Sequence, residues 1–334
     1  MSGIKFGLVI PQGWRWLANH GSSSVEQYEY SRRIARLADA LHYHSAYVYD
    51  HLWGGSIEKN NRDKNFFECF SMLPAIIENT ERIRIGQIVT CNSYRNPALI
   101  SKIISTLDVM SRGRIELGIG AGWSEDEYVS FGFPYPYPSA LVRIKQLEEA
   151  LAIIKLMWTK SESTFSGQYY SIKGALCYPK PLQRPWPTIM VGGTGEAYLL
   201  KVVAKYADRY NIPFTSSPDI VKRKVSVLKQ HCDTIGRPAD SIENSIIVRC
   251  LIRKDHDDIM KKIRESKIRP YRINNFRQRV AAIVGTPQQV IADIHRYIDV
   301  GITHFIMDFI GLDEESLRLF DSMVIEKVSR GRND

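Results

Sequence analysis

An acid and a histidine stand side by side where the strand-like run SAYVYDHLW breaks off, at Asp50 and His51. An imidazole titrates near neutral pH, and an adjacent carboxylate can tune it, so the pair suits proton transfer. The competing reading is a loop histidine that caps backbone groups. Glycine-rich VGGTGE, residues 191–196, lies between a strand pattern and a helix pattern. Main-chain N–H groups and the positive end of a helix dipole can hold a phosphate there, although a plain tight turn has the same composition. A second glycine cluster, GIGAGW at 118–123, lacks the dinucleotide fingerprint because Trp123 takes the last glycine position. His42 and His44, at i and i+2, could face the same way. No third ligand stands at metal spacing, so no metal site is expected.

These residues need a scaffold, and the chain alternates short β-rich runs with helical patterns. IKFGLVI, SAYVYD, RIRIGQIV, RIELGIG, TIMVGG, YNIPF, SIIVRCLIR and THFIMDF read as strands. Between them lie helical patterns such as Val25 to His42, NPALISKIISTLDVMSRG and Ser139 to Trp158. About eight such alternations with no linker imply parallel strands with right-handed crossovers. The expected fold is an α/β (β/α)₈ TIM barrel forming one domain over 1–334, with insertions at about 159–187 and 255–279; an open doubly wound sheet is second. In a barrel, chemistry belongs at the C-terminal strand ends. Read in order, those ends are Pro11-Gln12-Gly13-Trp14, Asp50-His51, Thr90-Cys91-Asn92, Ala121-Gly122-Trp123 and Gly192-Gly193-Thr194. Together they describe a site for a flat, phosphorylated cofactor.

Composition narrows the partners. No apolar run approaches the roughly 20 residues of a membrane span, and the N-terminus lacks a cleavage signature. Five scattered cysteines without a CxxC pair suggest reduced thiols in a cytoplasm. The net charge of +9 concentrates in KKIRESKIRPYRINNFRQR, 261–279, which carries no RNA-binding aromatic motif and no helix-turn-helix. A small-molecule substrate is expected, with neither nucleic acid nor membrane as partner.

Several longer stretches carry a family likeness: FGLVIPQGW, YVYDHLW, RIRIGQIVTCNSYRNPALISK, GRIELGIGAGWSEDEY, FSGQYYSIKGALCYPKPLQRPWPTIMVGGTGE and VGTPQQV. In this order they resemble the luciferase-like monooxygenase superfamily, and within it the oxidoreductases that use the deazaflavin coenzyme F420. The resemblance implies a cofactor across the C-terminal mouth of the barrel. It places His51 at the deazaflavin ring as the proton-transfer group, with Asp50 orienting it or contacting the cofactor. It also implies a non-prolyl cis peptide near Gln87–Ile88 behind the ring, and a ring or ribityl contact at Thr90. Gly120, Ala121, Gly122 and Trp123 line the cofactor on this reading, and Gly192, Gly193 and Thr194 hold its phosphate. Trp14, Trp53 and Trp123 would wall the substrate pocket, and the assembly would be a homodimer. The family's sugar-phosphate dehydrogenases carry a glutamate where this chain has Trp123, and their phosphate-binding lysines find no match, which argues against glucose 6-phosphate. Two alternatives keep the fold: an FMN-dependent two-component monooxygenase, and a non-catalytic cofactor-binding barrel.

Overall fold

The computed structural model describes residues 3–13, 23–53, 65–133, 137–214, 217–265 and 282–330. In chain order the first elements are β1 (Lys5–Val9), α1 (Ser24–Ala40), β2 (Ser45–Val48), α2 (Cys69–Glu78), β3 (Arg84–Gln87) and β4 (Thr90–Cys91). Then come α3 (Pro97–Met110), β5 (Leu117–Gly120), α4 (Glu125–Ser130), α5 (Ala140–Thr159), β6 (Ser163–Ser166), β7 (Ser171–Ala175) and β8 (Ile189–Gly192). The last third holds α6 (Leu199–Tyr206), β9 (Arg209–Ile212), α7 (Pro218–Thr234), β10 (Glu243–Ile252), α8 (His256–Glu265), β11 (Ala282–Gly285), α9 (Pro287–Ile298), β12 (His304–Phe309), α10 (Glu314–Phe320) and α11 (Glu326–Arg330). This is the (β/α)₈ barrel with insertions. Its strands are buried on both faces, which is why they read as near-continuous apolar runs.

Two compact units divide the chain. The first comprises Met1–Ile83, Asn211–Ser226 and Glu243–Asp334. In it β1 pairs in parallel with β2 and β12, β12 with β10, and β10 with β11. Side chains alternate along β12. Phe305 and Phe309 pack on Phe6 and Phe320, whereas His304 Nε2 meets Ser45 Oγ at 2.9 Å. The second unit comprises Arg84–Tyr210 and Val227–Ile242. There β5 lies between β4 and β8, and Ile85 of β3 bridges to Ile115.

Several boundaries differ from the sequence reading. β2 stops at Val48, so Tyr49 and Asp50 have already left the ladder. The third strand run is interrupted at Ile88–Val89, and that bond is the cis peptide, one residue beyond the expected Gln87–Ile88. Just before it, Gln87 ends β3, its Oε1 accepting from the Gly118 amide at 3.3 Å. The insertion after Thr159 forms the antiparallel hairpin β6–β7. The one after Asp255 opens as α8 instead of a loop, its Ile259 and Ile263 packed on Leu251, Val284 and Ile310; residues 266–281 lie outside the described residues.

Gly118 shows how closely the second unit packs. A Cβ there would stand 1.8 Å from the Gln87 carbonyl oxygen, on backbone that has no room to shift. Gly118→Ala is therefore expected to destabilise by about 2–3 kcal/mol, as overpacking does; a thermal melt equal to wild type would contradict this.

Candidate active site

In the first unit the strand end is built around Gln12. This buried amide donates to the Tyr49 carbonyl at 2.9 Å and the Phe67 carbonyl at 2.6 Å, and accepts from the Tyr49 amide at 2.8 Å. Its side chain takes over the hydrogen bonds that β2 gives up after Val48, and so sets the direction in which Asp50 and His51 leave. Asp50 is 4% exposed. His51 and Trp53 are half-buried, and the Tyr49 and His51 rings lie 6.3 Å apart. Trp14 lies outside the described residues. His42 and His44 precede β2 and so belong to the end opposite His51. His42 Nδ1 sits 3.1 Å from Asp321, and the His44 ring stands against His304 at 5.4 Å. With Glu326, His42 and Asp321 form a group whose ligand-type atoms lie within 4.8 Å of one another, at that opposite end.

The first unit also holds charged residues that the sequence reading passed over. Arg249 and Asp308 are in register on β10 and β12, with Nε 3.6 Å from Oδ2. Burial pushes the Asp308 carboxyl up to about 6 against the pull of Arg249, and raises the Tyr49 hydroxyl beside it. The signal was present in THFIMDF and SIIVRCLI, where Asp308 and Arg249 interrupt apolar strands.

In the second unit the strand ends carry buried polar atoms with no hydrogen-bond partner: Thr90 Oγ1, Asn92 Oδ1 and Gln87 Nε2. Asn92 Nδ2 donates to the Tyr170 hydroxyl at 3.1 Å, which brings the hairpin insertion to this end of β4. Gly120 and Gly192 leave room for Val89, whose side chain a Cβ on either would meet at 2.8 or 2.9 Å. Gly122 and Gly193 have φ of +78° and +145°, backbone that favours glycine. The Gly193 carbonyl accepts from Tyr210 at 2.9 Å. Thr194 is exposed and Ala121 half-buried. Helix α6 begins only at Leu199, so a turn separates its N-terminus from the glycines that the sequence had placed directly on it. Trp123 is 67% exposed, whereas Glu127, one turn later, is buried and accepts from Tyr94 at 2.9 Å.

The profile of the luciferase-like monooxygenases matches residues 4–277. The chain belongs to this family. Among curated relatives of this luciferase-like chain, an F420-dependent glucose-6-phosphate dehydrogenase of Microbacterium testaceum is 28% identical over 317 residues, 88% of this chain and 91% of that one. The enzyme of the same description from Amycolatopsis mediterranei is 25% identical over 287 residues, 78% and 84% of the two chains. A solved F420-dependent secondary alcohol dehydrogenase, in complex with an F420-acetone adduct, superposes with a TM-score of 0.81 at 18% identity, covering 98% of this chain and all (100%) of that one. Among the described residues of this luciferase-like barrel, no helix is long and apolar enough to cross a membrane.

Proposed function

We propose that the chain is an F420-dependent oxidoreductase that exchanges a hydride between the deazaflavin and an organic substrate. The observation that carries this reading is the match, over most of both chains, to relatives described as F420-dependent dehydrogenases. The residues fit such a group. Thr90 Oγ1 and Asn92 Oδ1 are buried polar atoms in need of a partner, and Gly192 and Gly193 present main chain without side chains. Thr90 and Gly120–Gly122 are assigned to the ring and ribityl portion, and Gly192, Gly193 and Thr194 to the phosphate. When bound, the deazaflavin supplies the ring that accepts or releases the hydride. A ring nitrogen of His51 takes or returns the proton that leaves or enters the substrate oxygen, and Asp50 orients that imidazole. Half-buried Trp53 shields the site from water, whereas Trp123 is 67% exposed. The substrate is read as an alcohol or carbonyl compound; Trp123, in place of the glutamate of sugar-phosphate dehydrogenases, argues against glucose 6-phosphate. The enzyme is further proposed to act in the cytoplasm as a homodimer.

Titration of the purified protein with F420 and with FMN, followed by absorption and fluorescence, tests the cofactor. F420 should bind at micromolar concentration or below. Tight FMN binding with none of F420 would replace this reading with the flavin monooxygenase. A second expectation follows from the charge of +9 and the oligoglutamate tail of F420. Affinity should fall with salt as the Debye length drops from about 10 Å at 0.1 M to about 3 Å at 1 M. The slope should be steeper for long-tailed than for short-tailed cofactor. Equal slopes would leave the basic residues without a part in binding.

A further inference from the structure

Among the described residues, the buried Asp308 of the first unit is held less closely than two other buried or partly buried ion pairs. Glu116 closes on Arg84 and Arg209 at 2.6 Å each, and Asp313 on Arg253 at 2.6 Å. Asp308 is 1% exposed, yet Arg249 Nε stays 3.6 Å away, well beyond the distance of those pairs. Burying a charge is unfavourable unless close pairing offsets it, and here the offset is incomplete. Arg249 is anchored elsewhere: its guanidinium lies over the Phe214 ring, 5.1 Å from the centroid, and its side chain keeps 18% exposure. Tyr49 reaches the same carboxylate from the end of β2, two residues before His51. Donors from β2 and β10 thus converge on an acid of β12, near the strand ends where this fold does its chemistry.

We propose that Arg249 forms a subsite that donates hydrogen bonds to a hydroxyl or carbonyl oxygen of the substrate, with Asp308, approached by Tyr49, beneath it as the positioning residue. This rests on the hydride-exchange reading and specifies the substrate group it takes. An ionised Arg249–Asp308 pair has no net charge, which suits a neutral oxygen group. The titration of Asp308 supports the assignment. Facing it are Arg249 and Cys250 of β10 and Tyr49, and burial outweighs the pull of the arginine. A folded pKa of about 6 against an ordinary 3.8 means that stability is greatest below about 4 and declines as pH rises to 6. The ionised acid therefore destabilises the fold at neutral pH.

Binding of cyclohexanol, cyclohexanone and 2-propanol by saturation-transfer NMR, with F420 titrated separately, tests the subsite. At least one probe should bind wild type, its Kd should rise at least tenfold in Arg249→Gln and severalfold in Asp308→Asn, and F420 affinity should stay within a few-fold. Asp308→Asn should also raise the unfolding midpoint at pH 7.5 but not at pH 4. Probe binding unchanged in both variants, no probe bound by wild type, or an Asp308→Asn midpoint lowered at pH 7.5 would each overturn the proposal. Failure of F420 to bind wild type would overturn the cofactor reading alone, since the probe arm needs no cofactor.

Discussion

His51→Asn is expected to lower turnover by about 10²- to 10⁴-fold, the range that general acid–base help supplies, while F420 affinity stays within a few-fold. Asparagine keeps a hydrogen-bonding group of similar reach and removes the titratable ring. One limb of the pH–rate profile should vanish with it. The structure sharpens the expectation, because Gln12 already supplies the backbone of Tyr49 with both partners. The strand end thus does not depend on His51 to satisfy it. The opposite outcome, turnover intact and thermal stability reduced, would make His51 a structural cap.

Glu116→Leu should produce the largest loss of stability. Glu116 is fully buried between Arg84 and Arg209, with Arg209 also buried, and the three join the start of β3, the residue before β5 and the first residue of β9. Removing the carboxylate breaks a buried ion pair from one side, which destabilises by about 3–5 kcal/mol. At roughly 2 °C per kcal/mol for a protein of this size, the melting midpoint should drop by roughly 6–10 °C. Replacing all three residues with apolar ones of similar volume should recover most of that loss, because the penalty lies in the unpaired charge. A midpoint within 2 °C of wild type for Glu116→Leu, by calorimetry at about pH 7, would show that water reaches Arg209.

Local chemistry is what the sequence exposes. Asn96 accepting from the Ala98 amide at 2.8 Å, with Pro97 opening α3, was visible as NPAL, because a cap and its helix are neighbours in the chain. The alternation of strands and helices was legible for the same reason, since burial on both faces of a parallel sheet imposes apolar runs. The start of α6 was misread because three residues of turn, Glu196–Tyr198, share the composition of a helix. Where β2 ends was misread because Tyr49 and Asp50 continue its pattern, while Gln12, remote in sequence, takes over its hydrogen bonds.

The amino-acid order by itself determined the barrel class, the position of Asp50-His51 at a strand end and the glycines that let main chain approach main chain. Only the tertiary structure decided which distant charges meet. Arg249 and Asp308 come into register because β10 and β12 pair directly, while β11 pairs on the other side of β10. Glu116 meets Arg84 and Arg209, which lie 32 and 93 residues away in the chain. Periodicity reports which face a residue takes, since that depends on its neighbours in the chain. The level at which strands align depends on the packing of every crossover between them, and no local pattern encodes it.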